Sequence, residues 1–423
     1  VQRCVDFSTK HNVQLAPRSG GHSYGGYSSC PGLVVDVTGI SSVTVATNST
    51  SAVVGTGVRL IDLYNALGAR GVLLPGGSCP TVGVAGLTLG GGVGVFSRLF
   101  GLTCDNLTSL DLVTADGRLL TCDAEHESNL LWASRGGGGG NFGIATSFTF
   151  NVHPIPPISL FTLDWSWPAA AEVLSAWQTW LLNTPNELWS NCQLLYSGGS
   201  GMSVRVAGVF AGQTATLNGL LTKLLSTVGS SPIYQFAGPE QYLNAMLIEA
   251  GCEGMSVVQC HLPTQNASGT LDRSAFAAKS SYVVEALPDA GVAAAVNAVE
   301  AFGQMAPSLG GGLLFDAYGG AINNVPGGGS AFAHRDALAG IQYYVTLGSD
   351  PGPAGEATSW LTQAHSSMAP YTSGAYVNYI DPTLTDWQQA YFGSSLSRLI
   401  AVKHSYDPDD VFHFAQSIPI QPV

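Results

Sequence analysis

Pro17-Arg18-Ser19-Gly20-Gly21-His22-Ser23-Tyr24-Gly25-Gly26 is the stretch on which the fold turns. It follows the strand-like Val13 to Leu15, and its paired glycines free the backbone to curl N–H groups inward as an anion-binding nest. Such a nest suits a pyrophosphate with Arg18 beside it, and leaves His22 facing whatever the pyrophosphate carries. Taken alone, the loop fits a tight surface turn with an incidental histidine equally well. A second stretch, Pro75-Gly76-Gly77-Ser78-Cys79-Pro80-Thr81-Val82-Gly83, runs on to Gly86 and Gly90-Gly91-Gly92. Its cysteine sits on constrained, open backbone that a large planar ligand can approach, although a disulfide is the commoner role for such a residue. The familiar nucleotide signatures fail, because no Gly-Lys-Ser/Thr occurs and Gly55-Thr-Gly57 lacks the third glycine of a dinucleotide turn.

Outward from these loops, Leu33 to Thr38 reads as a strand, and Val43 to Val45 with Ser51 to Gly55 reads as a hairpin around Asn48. Arg59 to Arg70 has helical spacing with Gly71 just past its end. A second hairpin spans Leu107 to Leu120, turning at Ala115-Asp116-Gly117, and Glu127 to Ser134 is a short helix. The Pro-rich segment after His153 marks a domain boundary, beyond which tryptophans cluster between Trp165 and Trp189 and Ala-rich helices such as Ala169 to Leu182 begin. Trp165 with Trp167, and Trp177 with Trp180, share faces; core packing is the favoured role, sugar stacking the other. Trp387 to Tyr406 is a further helical stretch, ended by Asp407-Pro408.

The chain has 423 residues, enough for two or three domains. Only 10% of them are charged, against about 25% usually. A net charge of -13 with no basic block excludes nucleic acid as a partner. No apolar run is long enough to span a membrane, since glycines break Val82 to Phe96. Acceptor sequons at Asn48, Asn106 and Asn266, with eight Cys, fit a secreted glycoprotein. Cys252 and Cys260 are expected to close a small loop worth roughly 2 to 3 kcal/mol. Cys4 and Cys30 flank the His22 loop and are candidates to pair, unless the partner of Cys30 precedes Val1. No short Cys or His spacing suggests a metal site.

Together, the two glycine loops, Gly101-Leu-Thr-Cys-Asp-Asn106, Gly140-Asn-Phe-Gly143, Tyr376-Val-Asn-Tyr379, Tyr406-Asp-Pro408 and Gln416-Ser-Ile418 resemble berberine-bridge-enzyme-like FAD oxidases of the vanillyl-alcohol oxidase group. The likeness runs in order over almost the whole chain. It implies an α+β, two-domain FAD fold: residues 1–155 with 385–423 binding FAD, and residues 156–384 forming a substrate domain of antiparallel sheet covered by helices. It also implies further residues before Val1. By resemblance, His22 is joined through a ring nitrogen to the flavin 8α-methyl and Cys79 to flavin C6, giving a doubly linked cofactor and an open substrate groove. Arg18, Ser19, Gly20, Gly21 and Ser23, with Gly77, Ser78, Thr81, Val82, Gly83 and Gly86, would surround the pyrophosphate and isoalloxazine. Gly143 and Ile144 would lie near the adenine half, Tyr376 and Asn378 against the flavin, and Val82 where relatives control oxygen access.

Tyr379 resembles the family's catalytic tyrosine, and Asp316 the carboxylate that pairs with it in oligosaccharide oxidases. A phenol titrating near 10 is a poor base unless something accepts its proton, so Asp316 is assigned as acceptor in a relay. A tyrosine in a strand and an aspartate capping a turn are the ordinary alternatives. Tyr24 matches a residue lining the substrate groove. The expected activity is oxidation of an alcohol carbon, C1 of an oligosaccharide, with O2 as acceptor and the protein a monomer. Where sugar-oxidising relatives carry aromatic or amide side chains, Gly312, Leu313 and Leu314 stand here, which leaves room for oxidation or cyclisation of an aromatic secondary metabolite. A flavin-free binding protein is the third reading that the glycine loops allow.

Overall fold

Alternating apolar residues along the first third of the chain predict half-buried strands, and the computed structural model, which describes residues 1–325, 328–348 and 351–422, contains them. After helix α1 (Gln2–His11), strands β1 (Leu15–Arg18) and β2 (Leu33–Asp36) pair in parallel. Leu15 stands opposite Leu33 and Arg18 opposite Asp36, so the expected strand at Val13 shifts to include Pro17 and Arg18. The predicted hairpin is β3 (Val43–Val45) with β4 (Ser51–Gly55), and the predicted helix is α2 (Leu60–Gly68). Strand β5 (Val72–Leu73) precedes two short helices that the glycine-rich run had hidden, α3 (Val84–Gly90) and α4 (Ser97–Phe100). The second hairpin, β6 (Leu107–Val113) and β7 (Leu119–Cys122), turns with Gly117 at φ +77°. Helix α5 (Ser128–Ala133) then leads to β8 (Ile144–Asn151) and β9 (His153–Pro154), the latter pairing with β5. Five of these strands form one antiparallel sheet in the order β3-β4-β8-β6-β7.

The second sheet is built from β10 (Ile158–Ser166), then, after α6 (Ala170–Leu181), β11 (Leu188–Ser197) and β12 (Met202–Phe210). Helix α7 (Thr214–Val228), β13 (Tyr234–Glu240), α8 (Tyr242–Glu249), β14 (Ala275–Val283) and α9 (Asp289–Met305) follow. Strands β15 (Gly310–Ala317) and β16 (Ala339–Leu347) complete it before α10 (Pro351–Met368). The order is β13-β10-β12-β11-β15-β16-β14, antiparallel throughout. Leu163, Val206, Cys192, Phe315 and Ile341 form one register row, all buried on the face that α6, α9 and α10 cover. Trp165, Trp177 and Trp180 belong to this core, while Trp167 leaves the strand and donates to Glu300, so neither pair is a sugar platform.

The carboxy-terminal stretch is two helices, α11 (Trp387–Phe392) and α12 (Leu396–Tyr406), separated at Gly393 with φ +46°. It is tied to the loop before β8 through Lys403, whose ammonium is fully buried. Lys403 Nζ donates to Asp407 at 2.6 Å and to the carbonyls of Phe412 and Asn141 at 2.6 and 3.0 Å, and lies 3.0 Å from Asp410. The Asn141 side chain in turn accepts the Ile418 N–H at 2.9 Å.

Two expectations are corrected. Asn106 is buried at 4% exposure, its Nδ2 donating to the Phe100 and Leu102 carbonyls and its Oδ1 accepting from His153 Nε2, so it is no glycan acceptor in the folded chain. Cys4 and Cys30 do not pair; Cys252–Cys260 is the disulfide found among the described residues. Replacing Lys403 by Met strands two carboxylates and should cost about 3 to 5 kcal/mol. A lower urea midpoint checks this, and a midpoint equal to wild type would show that the clasp contributes nothing.

Candidate functional site

Helix α2 positions the Cys79 loop, because its first free N–H groups are spent on that loop. Leu60 and Ile61 donate to the carbonyls of Val82 and Pro80 at 3.0 and 3.2 Å, and Tyr64 Oη donates to Gly77 at 2.6 Å. The His22 loop is pressed against the same segment. A Cβ on Gly20 would stand 2.2 Å from the Gly83 nitrogen, and one on Gly83 would stand 2.1 Å from Ser19 Oγ, so both positions require glycine. Ser19 Oγ donates to Thr56 at 2.6 Å, and His22 Nε2 lies 2.9 Å from Thr81 Oγ1.

The two loops open onto a cavity of about 900 Å³. Ser19, Gly20, Gly21, His22, Ser23 and Tyr24 line it from one loop. Gly77, Ser78, Cys79, Val82, Gly83 and Gly86 line it from the other. Gly143, Ile144, Tyr376, Asn378, Tyr379 and Asp316 line it as well. Two predicted binding residues stand apart: Thr81 holds His22 from behind, and Arg18 directs its guanidinium to Asp36 at 3.3 Å outside the lining. Gly143 also serves packing, since a Cβ there would meet Val113 O and Leu112 at 2.5 Å.

Tyr379 is held by its neighbours. The Tyr376 hydroxyl accepts from Gly92 N–H at 2.8 Å and from Asn378 Nδ2 at 2.9 Å, and the Tyr376 N–H donates to Ser280 Oγ at 2.9 Å. Two residues on, Asp381 is ion-paired to Lys279 at 2.5 Å. The Tyr379 ring stacks on Tyr24 with centroids 5.2 Å apart and planes 5° off parallel. Burial raises the Tyr379 phenol well above its ordinary pKa, with the Tyr24 and Asp316 charges adding to the effect. Burial also lifts the Asp316 carboxyl to about 7. The Cys79 thiol is pushed up by burial and then by Asp316, and His22 is lowered by burial and then by Arg273, so both are neutral near pH 7.

The sheet face opposite the core forms the cavity floor, which motif reading had missed. One register row places Thr162, Ala207, Asn191 and Asp316 side by side; the next places Asp164, Arg205, Gln193, Leu314 and Gln342. Leu314 is thus flanked by two amides, whereas Leu313 points into the core and Gly312 packs on the Leu194 carbonyl. Gln342 donates to Tyr24 Oη at 2.8 Å, Gln193 to Asn191 at 3.2 Å, and Arg205 to both oxygens of Asp164 at 2.6 and 3.0 Å. Phe276 meets the Tyr24 ring edge-on at 4.8 Å and the Tyr344 ring at 5.5 Å, making an aromatic wall. Glu249, at the end of α8, also lines the cavity. Period-two polar residues along β11 and β16 were the signal available for these positions.

The donor set and the glycine cradle fit a flavin dinucleotide: side chains are excluded where the loops touch, and Gly86 has nothing within 4 Å of a Cβ position on the cavity side. Comparison with known proteins agrees. Residues 1–123 match the FAD binding domain family, and residues 375–419 the berberine and berberine-like family. The chain is 33% identical over 420 residues to the uncharacterized FAD-linked oxidoreductase YgaK of Bacillus subtilis, spanning 98% of this chain and 88% of that one. Among solved structures it resembles BBE-like 1 of Physcomitrella patens, with TM-score 0.90 and 34% identity over 100% of this chain and 90% of that one. It also resembles a chitooligosaccharide oxidase, with TM-score 0.88 and 27% identity over 100% and 90% of the two chains.

Gly83→Ala tests the cradle. With its Cβ driven into Ser19, the variant should purify with little visible absorbance at wild-type yield, and full colour would show that the loop contact does not seat the cofactor.

Proposed function

The chain belongs to the berberine-bridge-enzyme-like FAD-linked oxidoreductases, and from that membership we propose that it oxidises C1 of an oligosaccharide to the lactone, with O2 reduced to H2O2. Bound FAD supplies the two-electron acceptor. His22, through a ring nitrogen to the 8α-methyl, and Cys79, through sulfur to C6, would hold it at two positions. What supports this is that both side chains line one cavity from loops in direct backbone contact. In the same proposal residues 1–155 and 385–423 carry the cofactor, residues 156–384 the substrate floor, and Arg18 acts only by bracing β1 against β2.

The observation that carries the reaction is Tyr379, stacked on Tyr24 and within electrostatic reach of Asp316 in one cavity. Kept protonated by burial, Tyr379 accepts the substrate hydroxyl proton only as its own proton passes toward Asp316. Asp316 is competent when ionised, and its pKa of about 7 places that requirement at neutral pH. The amides Asn191, Gln193 and Gln342 and the Tyr24–Phe276–Tyr344 wall offer what a sugar ring needs, hydrogen bonds at its edge and an apolar surface at its face. Leu314 and the same aromatic wall favour the second reading, oxidation or cyclisation of an aromatic metabolite. Secretion as a monomer, with glycans at the exposed Asn48 turn and at Asn266, belongs to the proposal as well.

Tyr379→Phe should slow flavin reduction by about 10² to 10⁴-fold with the flavin retained; reduction at the wild-type rate removes the tyrosine from the mechanism. The wild-type kcat/KM should rise with pH through an apparent pKa of about 7 as Asp316 ionises. A pH profile flat from weakly acid to neutral contradicts the relay. Anaerobic mixing with cello-, xylo- and chito-oligosaccharides should bleach the flavin, whereas bleaching by aromatic alcohols alone gives the function to the second reading.

A further inference from the structure

Most polar groups of the cavity are already satisfied by one another. Gln342 is committed to Tyr24, Gln193 to Asn191, and the Arg205 guanidinium is neutralised by Asp164 through two hydrogen bonds. His22 is engaged with Thr81 and is neutral near pH 7. Two carboxylates facing the cavity have no such partner. Among the described residues, no hydrogen bond or ion pair reaches the side chain of Asp316 on β15 or of Glu249 at the end of α8. Among the described residues no lysine lines the cavity; the other ionisable groups on its wall are Cys30, Cys79, Tyr24, Tyr27, Tyr344, Tyr376, Tyr379 and His413, while Arg273 acts on His22.

Asp316 is accounted for by the proton relay, but Glu249 is not. We infer that Glu249 determines substrate specificity by charge: it takes hydrogen-bond donors or a cationic group from the substrate, and turns away carboxylated substrates. The physical reason is that an unpaired carboxylate is costly until a donor reaches it, and a second anion beside it costs more. Burial, and then the Asp316 charge, lift the Glu249 carboxyl to about 7, so the wall changes its charge close to neutral pH. The choice of saccharide ligands below rests on the function proposed above; the charge effect itself does not.

Two ligand series blocked by O-methylation at the reacting hydroxyl separate the two claims by calorimetry on the holoenzyme. One compares methyl cellobioside with its uronate; the other compares benzyl methyl ether with its 4-aminomethyl and 4-carboxylate derivatives. At about pH 8, where carboxylates are ionised, wild type should bind the anionic member about tenfold more weakly than the neutral one, and the cationic member about tenfold more tightly. Glu249→Gln should shrink each gap at least about threefold and Glu249→Asp should preserve it. Lowering the pH to about 6 should shrink the wild-type gaps in the same way without any substitution. Gaps absent in wild type, or unchanged in Glu249→Gln, overturn the inference. If no saccharide binds while the benzylic series follows the charge order, the oligosaccharide function falls and the role of Glu249 stands.

Discussion

Two polypeptide loops touching without side chains between them are the constraint on which the site depends. Gly20 and Gly83 meet at a distance that leaves no room for a Cβ on either, and Ser19, tied to Thr56, fills the remaining space. Everything that follows is a matter of where this contact leaves the neighbours: His22 two residues beyond one glycine and Cys79 four residues before the other, both on the wall of one cavity. The contact is itself supported from below by helix α2, whose amino-terminal N–H groups grip the Cys79 loop. A backbone-to-backbone seat of this kind has few rotamers to lose and so holds a planar cofactor with little ordering cost.

The seven-stranded sheet performs two tasks because a strand has two faces. Its odd-numbered residues on β10, β15 and β16 pack under three helices, and even-numbered ones such as Thr162, Asp316 and Gln342 face the cavity. Displacing the register by one residue would exchange Phe315 for Asp316 and destroy both. The floor's hydrogen bonds are largely internal, which fixes the amides in place and concentrates the cavity's free acceptor capacity in Asp316 and Glu249.

Much of this was legible before any coordinates. The hairpins and helix α2 are local signals, written in turn residues and periodicity. The two loops, Tyr379 and Asp316 were found because they form contiguous motifs that resemble a family, and the structure brings them to one cavity. What escaped depends on long-range pairing. Asn191 and Gln193 on β11, Gln342 on β16 and Glu249 on α8 reach one cavity only through long-range pairing and packing. Asn106 looked like a glycan acceptor because a sequon says nothing about burial, and the Arg18 guanidinium looked free because its partner Asp36 lies on the next strand. Lys403 gave no sign at all, since a buried lysine is recognisable only by the carbonyls and carboxylates that surround it.

The central claim is that one flavin is held at once by the two loops. Proteolysis of the denatured protein followed by mass spectrometry tests it most directly. The account predicts a single flavin-bearing species in which the peptide containing His22 and the peptide containing Cys79 are joined through the cofactor. Recovery of both peptides unmodified, or of flavin on only one of them, would contradict it.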